Sequence, residues 1–309
     1  FEARMQASAH ARNPAMNDSV PARLFCFGLG YSAAALAARL GPAGWRIAGT
    51  ARSATKCAEL AAGGIDAYRF ERDHPLADPV AALAGTTHLL ASIPPDAVGD
   101  PALDCHAIDI AACRDLRWIG YLSTTSVYGD RAGGWVDEGS DLRPSGERGR
   151  RRVAAEEDWL SLGVSTGVPV QIFRLAGIYG PGRNQLVALR EGRARRVVKP
   201  GQLFSRVNVE DVAQVLEASM QQPDPGAIYN VADDEATDPA LVVEHAASLL
   251  GIAAPPAEPF ETATLSPLAR SFYDDCKRVR NDRIKQALGV RLLYPTYREG
   301  LAALRETID

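Results

Sequence analysis

A chain of 309 residues with 46% hydrophobic and 23% charged residues falls near the globular average, which excludes disordered and fibrous classes and leaves room for about two domains. Its 34 Lys+Arg against 38 Asp+Glu leave a net charge of −4, too little cationic surface to expect a nucleic-acid or membrane partner. No run reaches the ~18 apolar residues of a membrane span, and the five scattered cysteines form no CxxC pair, so a reduced, cytoplasmic protein with mostly buried thiols is expected.

Residues 1–21 are polar and aperiodic and are expected to be a leader outside the fold. From Arg23 short apolar runs alternate with helical stretches, the pattern of a parallel sheet covered on both faces. The spacing predicts a strand at Leu24–Phe27, a helix at Tyr31–Leu40, a strand at Arg46–Gly49 and a helix at Ala54–Ala62 capped by Ser53. Strands near Ala67–Phe70, Thr87–Ala91, Trp118–Leu122 and Val170–Arg174 follow, with helices at Pro79–Ala84, Ala102–Cys113 and Arg150–Leu162 between them. After about Gly180, Pro-Gly breaks shorten the elements, and helices are expected at Val209–Gln221, Pro239–Leu250 and Asp282–Leu288. The expected fold is therefore α/β: a Rossmann-type doubly wound parallel sheet over 22–180, then a smaller α/β substrate-binding unit over 181–309, with elements of the two free to interleave.

Directly after the first strand stands Gly28-Leu29-Gly30-Tyr31-Ser32-Ala33, a G-x-G-x-x-A match that opens a helix. The first Gly permits the turn, the second lets a pyrophosphate approach the backbone, and the small third residue lets helix and strand pack closely. The helix N-terminus then offers free N–H groups to the phosphates. Gly28, Gly30, Tyr31, Ser32 and Ala33 are accordingly dinucleotide-binding candidates; an empty structural turn is the alternative. At the end of the second strand, where an Asp or Glu would hold the ribose of NAD, the sequence reads Thr50-Ala51-Arg52-Ser53. Arg52 with Ser53 suits a 2′-phosphate, so NADP is expected ahead of NAD, unless Arg52 is an ordinary surface arginine.

The stretch Tyr121-Leu122-Ser123-Thr124-Thr125-Ser126-Val127-Tyr128-Gly129 resembles the extended short-chain dehydrogenase/reductase family, the NAD(P)-dependent sugar epimerases and dehydratases. Arg174 to Gly182, Asn208 to Ala213 and Tyr229 to Val231 continue the resemblance in family order. It implies an epimerase/dehydratase-like oxidoreductase acting on a small or nucleotide-linked carbonyl or hydroxyl substrate. It further implies Thr124 at the substrate hydroxyl, a cofactor loop at Ser92, Ile93 and Pro94, and Ala176 and Ile178 near nicotinamide. Arg183 and Arg206 fall where relatives contact substrate phosphates, and a homodimer through helices of the first unit is common in the family.

The chain departs from the family in two places and so resembles an atypical member: its glycine turn is shorter than the family's usual G-x-x-G-x-x-G, and the catalytic pair is missing. Counting back from Glu156 puts Arg148 where the family has its catalytic Tyr and Arg152 where it has its Lys. A guanidinium stays protonated above pH 12 and cannot act as a base. Arg152 keeps the charge to bind a ribose or phosphate, Tyr128 and Tyr179 are candidate replacement acids, and packing is the competing role for both tyrosines. The alternative function is a non-catalytic NADP-binding sensor or scaffold. His88 is expected in the core, and no metal site is expected because no His pair has ligand spacing.

Overall fold

The computed structural model describes residues 22–307, so the expected leader over 1–21 lies outside the described residues. The first half alternates as β1 (Arg23–Phe27), α1 (Tyr31–Leu40), β2 (Arg46–Ala51), α2 (Ala54–Ala62), β3 (Asp66–Arg69), α3 (Pro79–Leu83), β4 (His88–Ala91), α4 (Pro101–Ala111) and β5 (Trp118–Thr124). A two-residue β6 (Trp135–Val136), the long α5 (Glu147–Thr166) and β7 (Val170–Leu175) complete it. The rest comprises β8 (Gly177–Tyr179), α6 (Gln185–Arg190), β9 (Arg196–Val198), β10 (Arg206–Asn208), α7 (Val209–Gln221), β11 (Ile228–Val231), α8 (Pro239–Leu250), β12 (Ala257–Pro259), α9 (Pro267–Ser271), β13 (Arg278–Val279), α10 (Asp282–Leu288) and α11 (Tyr297–Glu306).

Seven strands form one parallel sheet in the order β11-β7-β5-β4-β1-β2-β3. The alternation of side chains along β1 explains the two cores. Leu24 and Cys26 face a cluster completed by Leu36 of α1 and Val212 and Leu216 of α7, whereas Phe25 and Phe27 face one completed by Ala102 of α4 and Trp159 of α5. Every residue of β1 is buried, as a central strand covered on both faces requires. β11 and α7 lie beyond residue 180 in the chain, yet β11 pairs with β7 and α7 packs on α1, so the two halves of the sequence interleave.

Local signals placed most helices closely. α1, α2, α7, α8 and α10 begin and end where the sequence predicts, and Ser53 caps α2 by accepting a hydrogen bond from the Lys56 N–H at 3.1 Å. The short strands β6, β8, β9, β10, β12 and β13 are absent from the sequence expectation, because two or three residues show no readable period. All five cysteines are unpaired; Cys26 is buried, but the other four are only half-buried, which corrects the expectation of mostly buried thiols. His88 packs edge-on against Trp45 at 4.7 Å, and burial lowers its pKa to about 4.

Candidate functional site

The glycine turn is held from two sides. The Gly28 N–H donates to the Thr50 hydroxyl at 2.8 Å and the Leu29 N–H to the Thr50 carbonyl at 2.8 Å, so the end of β2 anchors the turn. From the loop after β4, the Ser92 hydroxyl donates to the Gly28 carbonyl. Gly28 has φ +87°, and a Cβ there would lie 2.8 Å from Ile93 Cγ1; this position therefore requires glycine for backbone and space alike.

Gly30 is glycine for a different reason. A Cβ there would meet nothing within 4 Å, so the surface beside it is open. Gly30 is the N-cap of α1, with no side chain capping it and no acidic residue in the first turn. Open space against uncapped helix N–H groups is compatible with the pyrophosphate of a dinucleotide, which would approach where a side chain would otherwise stand. Ser32 and Ala33 are buried beneath, where α1 meets the sheet. Arg52 is exposed at the end of β2 and forms no ion pair among the described residues. Its carbonyl accepts from Arg69 Nε at 3.1 Å, which brings a second guanidinium to the same edge.

A cleft of about 740 Å³ opens beside this groove and is lined by Thr124, Ala176, Ile178, Arg183 and Arg206. The predicted substrate and nicotinamide-side residues are thus brought together from β5, β8, β10 and the loop after β8. Thr124 ends β5, and its hydroxyl accepts from the Ser126 N–H at 3.2 Å. Arg183 lies over the Tyr31 ring at 5.7 Å, linking the cleft to the glycine turn.

Two predicted residues, Tyr128 and Arg152, are not part of the cleft lining. Tyr128 is fully buried and absent from the cleft lining; its hydroxyl donates to Asn230 Oδ1 at 2.7 Å and accepts from Arg174 Nη1 at 3.0 Å. Burial raises its pKa despite the adjacent Arg174 charge. Arg152 is half-buried and does not line the cleft; its guanidinium donates to the Leu122 carbonyl and sits 5.6 Å from the Tyr121 ring centre. By contrast, Arg148 lines the cleft with its guanidinium 5.7 Å from the Phe272 ring centre, and Tyr179 lines it with its pKa raised by burial.

Several lining residues were not anticipated from the sequence, among them Phe272, Lys277 and Tyr297. Lys277 is paired with Asp275 at 2.9 Å. Tyr297 follows a capping box in which Thr296 and Glu299 bond reciprocally, a Thr-x-x-Glu signal visible in the sequence that would have placed Tyr297 at the start of a helix. The basic run at 193–199 is largely neutralised: Arg193 pairs with Glu191, Arg195 with Glu258 and Arg196 with Glu244. Among the described residues, no helix is long and apolar enough to cross a membrane and no cluster of three or more His, Cys, Asp or Glu could hold a metal.

Comparison with known proteins agrees with the fold. A family model described as the NAD dependent epimerase/dehydratase family matches residues 28–232. Protein YeeZ of Escherichia coli strain K12 is 31% identical over 283 residues, covering 87% of this chain and 94% of that protein. The structure of a functionally unknown conserved protein from Silicibacter pomeroyi is similar with a TM-score of 0.83 and 50% identity, over 93% of this chain and 99% of that one. The dTDP-glucose 4,6-dehydratase of Bacillus anthracis in complex with NAD shares the fold at 15% identity and a TM-score of 0.73, over 92% of this chain and 96% of that one.

Proposed function

This chain belongs to the NAD dependent epimerase/dehydratase family, and we propose that it is an NADP-binding oxidoreductase of epimerase/dehydratase type whose acid/base residues differ from the family's. The observation that carries this reading is the glycine turn itself: Gly28 at φ +87° held between β2 and the loop after β4, with open space at Gly30 against the uncapped N–H groups of α1, where a phosphate-bearing ligand would sit. Bound there, a nicotinamide dinucleotide supplies hydride transfer. The turn at Gly28, Gly30 and Tyr31 holds its pyrophosphate end above the buried Ser32 and Ala33, and Ser92, Ile93 and Pro94 flank it. The exposed, unpaired Arg52 with Ser53 takes the 2′-phosphate that distinguishes NADP, since β2 ends without the carboxylate that would favour NAD.

In the cleft, Thr124 holds a substrate hydroxyl or carbonyl near Ala176 and Ile178, with Arg183 and Arg206 toward an anionic part of a small or nucleotide-linked substrate. Arg148 cannot remove a proton, but its permanent charge can stabilise an oxyanion developing on the substrate. Tyr179 lines the cleft, and burial keeps its phenol protonated, but its hydroxyl donates to the Thr296 carbonyl at 3.4 Å and would have to leave that bond to serve a substrate. Arg152, turned to the Leu122 carbonyl, holds the wall behind Thr124. A change in nicotinamide absorbance with a panel of sugar nucleotides and small carbonyl compounds tests the reading. Bound NADPH with no turnover across the panel overturns the enzymatic part.

The arginines at 148 and 152 favour a second reading, an NADP-binding sensor or scaffold without catalysis. It requires that Thr124→Val leave biological activity intact, and a large loss with cofactor binding preserved excludes it.

A further inference from the structure

We propose that Lys277 is a catalytic residue: its ammonium group holds the reacting oxygen of the substrate and exchanges a proton with it, taking over from the tyrosine that Arg148 replaces. The proposal rests on the oxidoreductase reading above and supplies that reading with an acid.

Lys277 is one of four lysines among the 34 Lys+Arg of the chain. The other three are absent from the cleft lining: Lys56 pairs with Glu59, Lys285 with Asp234, and Lys199 donates to the Tyr273 carbonyl. Lys277 and Val279 both line the cleft, whereas Arg278 between them lies 5.9 Å from the Trp135 ring centre, the alternation of an extended chain entering β13. The segment is pinned from several sides. Gln202 Nε2 donates to the Asp275 carbonyl at 2.7 Å, the Cys276 N–H to Asp130 Oδ1 at 2.7 Å and the Val279 N–H to Ser205 Oγ at 3.1 Å. The Ser205 carbonyl accepts in turn from the Gly177 N–H at 3.1 Å, which ties the segment to the stretch carrying Ala176 and Ile178.

Lys277 is 9% exposed, and Nζ donates to Asp275 Oδ2 at 2.9 Å. Among the described residues it makes no other hydrogen bond or ion pair. An ammonium carries three donors, so two remain for a ligand. The acidic partner is incomplete as well: Asp275 Oδ1 is buried without a partner, an arrangement that a purely structural ion pair has no reason to keep. Glu147 and Tyr179, which also line the cleft, are committed to Arg150 and to the Thr296 carbonyl. Unlike the guanidinium of Arg148, an amine can release its proton and regain it. When a carbonyl is reduced here, hydride from the bound nicotinamide adds to its carbon and the C=O π electrons become an oxygen lone pair. That oxygen takes a proton from Lys277, whose N–H bonding pair stays on nitrogen, and solvent restores the ammonium; oxidation of an alcohol runs the same steps in reverse.

Steady-state kinetics of the full chain, with NADPH and a compound of the sugar-nucleotide and carbonyl panel that it turns over, tests the assignment. Lys277→Arg keeps the charge beside Asp275 but cannot give up a proton, so kcat should fall about a hundredfold or more while KM changes far less. NADPH affinity, followed by its fluorescence, and the melting temperature should stay close to the parent's. Lys277→Ala should lose turnover to a similar extent and regain part of it as methylamine is added, a rescue that a packing role would not give. Turnover of Lys277→Arg close to the parent's, a folded Lys277→Ala chain that methylamine does not rescue, or loss of NADPH binding in Lys277→Arg overturns the proposal and leaves the broader reading standing. A parent chain that turns over no compound of the panel refutes the broader reading and the proposal with it.

Discussion

The hydroxyl of Tyr31, at the first position of α1, donates to the carbonyl oxygen of Pro181 at 3.0 Å across 150 residues of sequence. This bond draws the loop after β8 against the glycine turn, and a Cβ on Gly180 would lie 2.6 Å from the same hydroxyl. The glycine turn and the loop bordering the cleft are thus joined at one side chain. Tyr31→Phe should cost about 0.5–1.5 kcal/mol of stability, the net value of an ordinary hydrogen bond. It should also weaken NADPH binding, because the loop loses its tether. Denaturant unfolding and NADPH fluorescence titration measure the two effects, and an unchanged affinity would count against the coupling.

The two glycines of the turn should fail in opposite ways. Gly28→Ala places a side chain at φ +87° and against Ile93, so it should destabilise the chain by roughly 1–3 kcal/mol or more. Gly30→Ala, at φ −90° with open space around it, should leave the melting temperature nearly unchanged while blocking the dinucleotide. Equal NADPH binding by Gly30→Ala and the parent chain would contradict the role assigned to that open space.

Arg52→Ala should reduce affinity for NADPH about tenfold or more, the value of a charged hydrogen bond to a phosphate, and leave NADH affinity little changed. Parallel titrations of the two cofactors give the ratio. A parallel loss for both would mean that Arg52 does not read the 2′-phosphate.

Tyr128 belongs to a buried network rather than to the cleft. Glu156 and Arg174 are each 3% exposed at the side chain and joined at 2.7 Å, with Ser123 donating to Glu156 and Tyr128 accepting from Arg174. Removing one partner leaves a buried charge unpaired, so Glu156→Ala should cost about 3–5 kcal/mol. Tyr128→Phe should cost about 1–3 kcal/mol, by leaving Asn230 Oδ1 unpaired, and should retain turnover once folded. Abolished turnover in a stable Tyr128→Phe protein would restore the tyrosine as the acid.

Asp233 makes stability depend on pH in a defined direction. Its carboxyl titrates near 8 in the folded chain against about 4 when unfolded, so between these values the folded state binds a proton that the unfolded state has released. This contribution is fully present below about pH 4 and is lost as pH rises toward 8, with a limiting slope of about 1.4 kcal/mol per pH unit. Asp233→Asn should flatten the unfolding free energy between pH 5 and 8 and be more stable than the parent at pH 8. Identical pH profiles would show that Asp233 ionises normally.

Much was legible in the sequence because it is local. The G-x-G-x-x-A turn, the Ser53 cap and the 3.6-residue periodicity of α1, α7, α8 and α10 involve residues a few positions apart, whose backbone preferences and burial faces are written into the same segment. So was the replacement of a Tyr and a Lys by Arg148 and Arg152, which is a matter of residue identity and spacing. Tertiary structure alone decided which of these groups share a space. Sequence placed Tyr128 and Tyr179 side by side as candidates, but packing sends one to Asn230 beneath the sheet edge and leaves the other on the cleft wall. Packing also brings β11 beside β7, Pro181 to Tyr31, and α11 against β10, contacts that depend on how whole elements stack and that no local pattern of hydrophobicity or charge encodes.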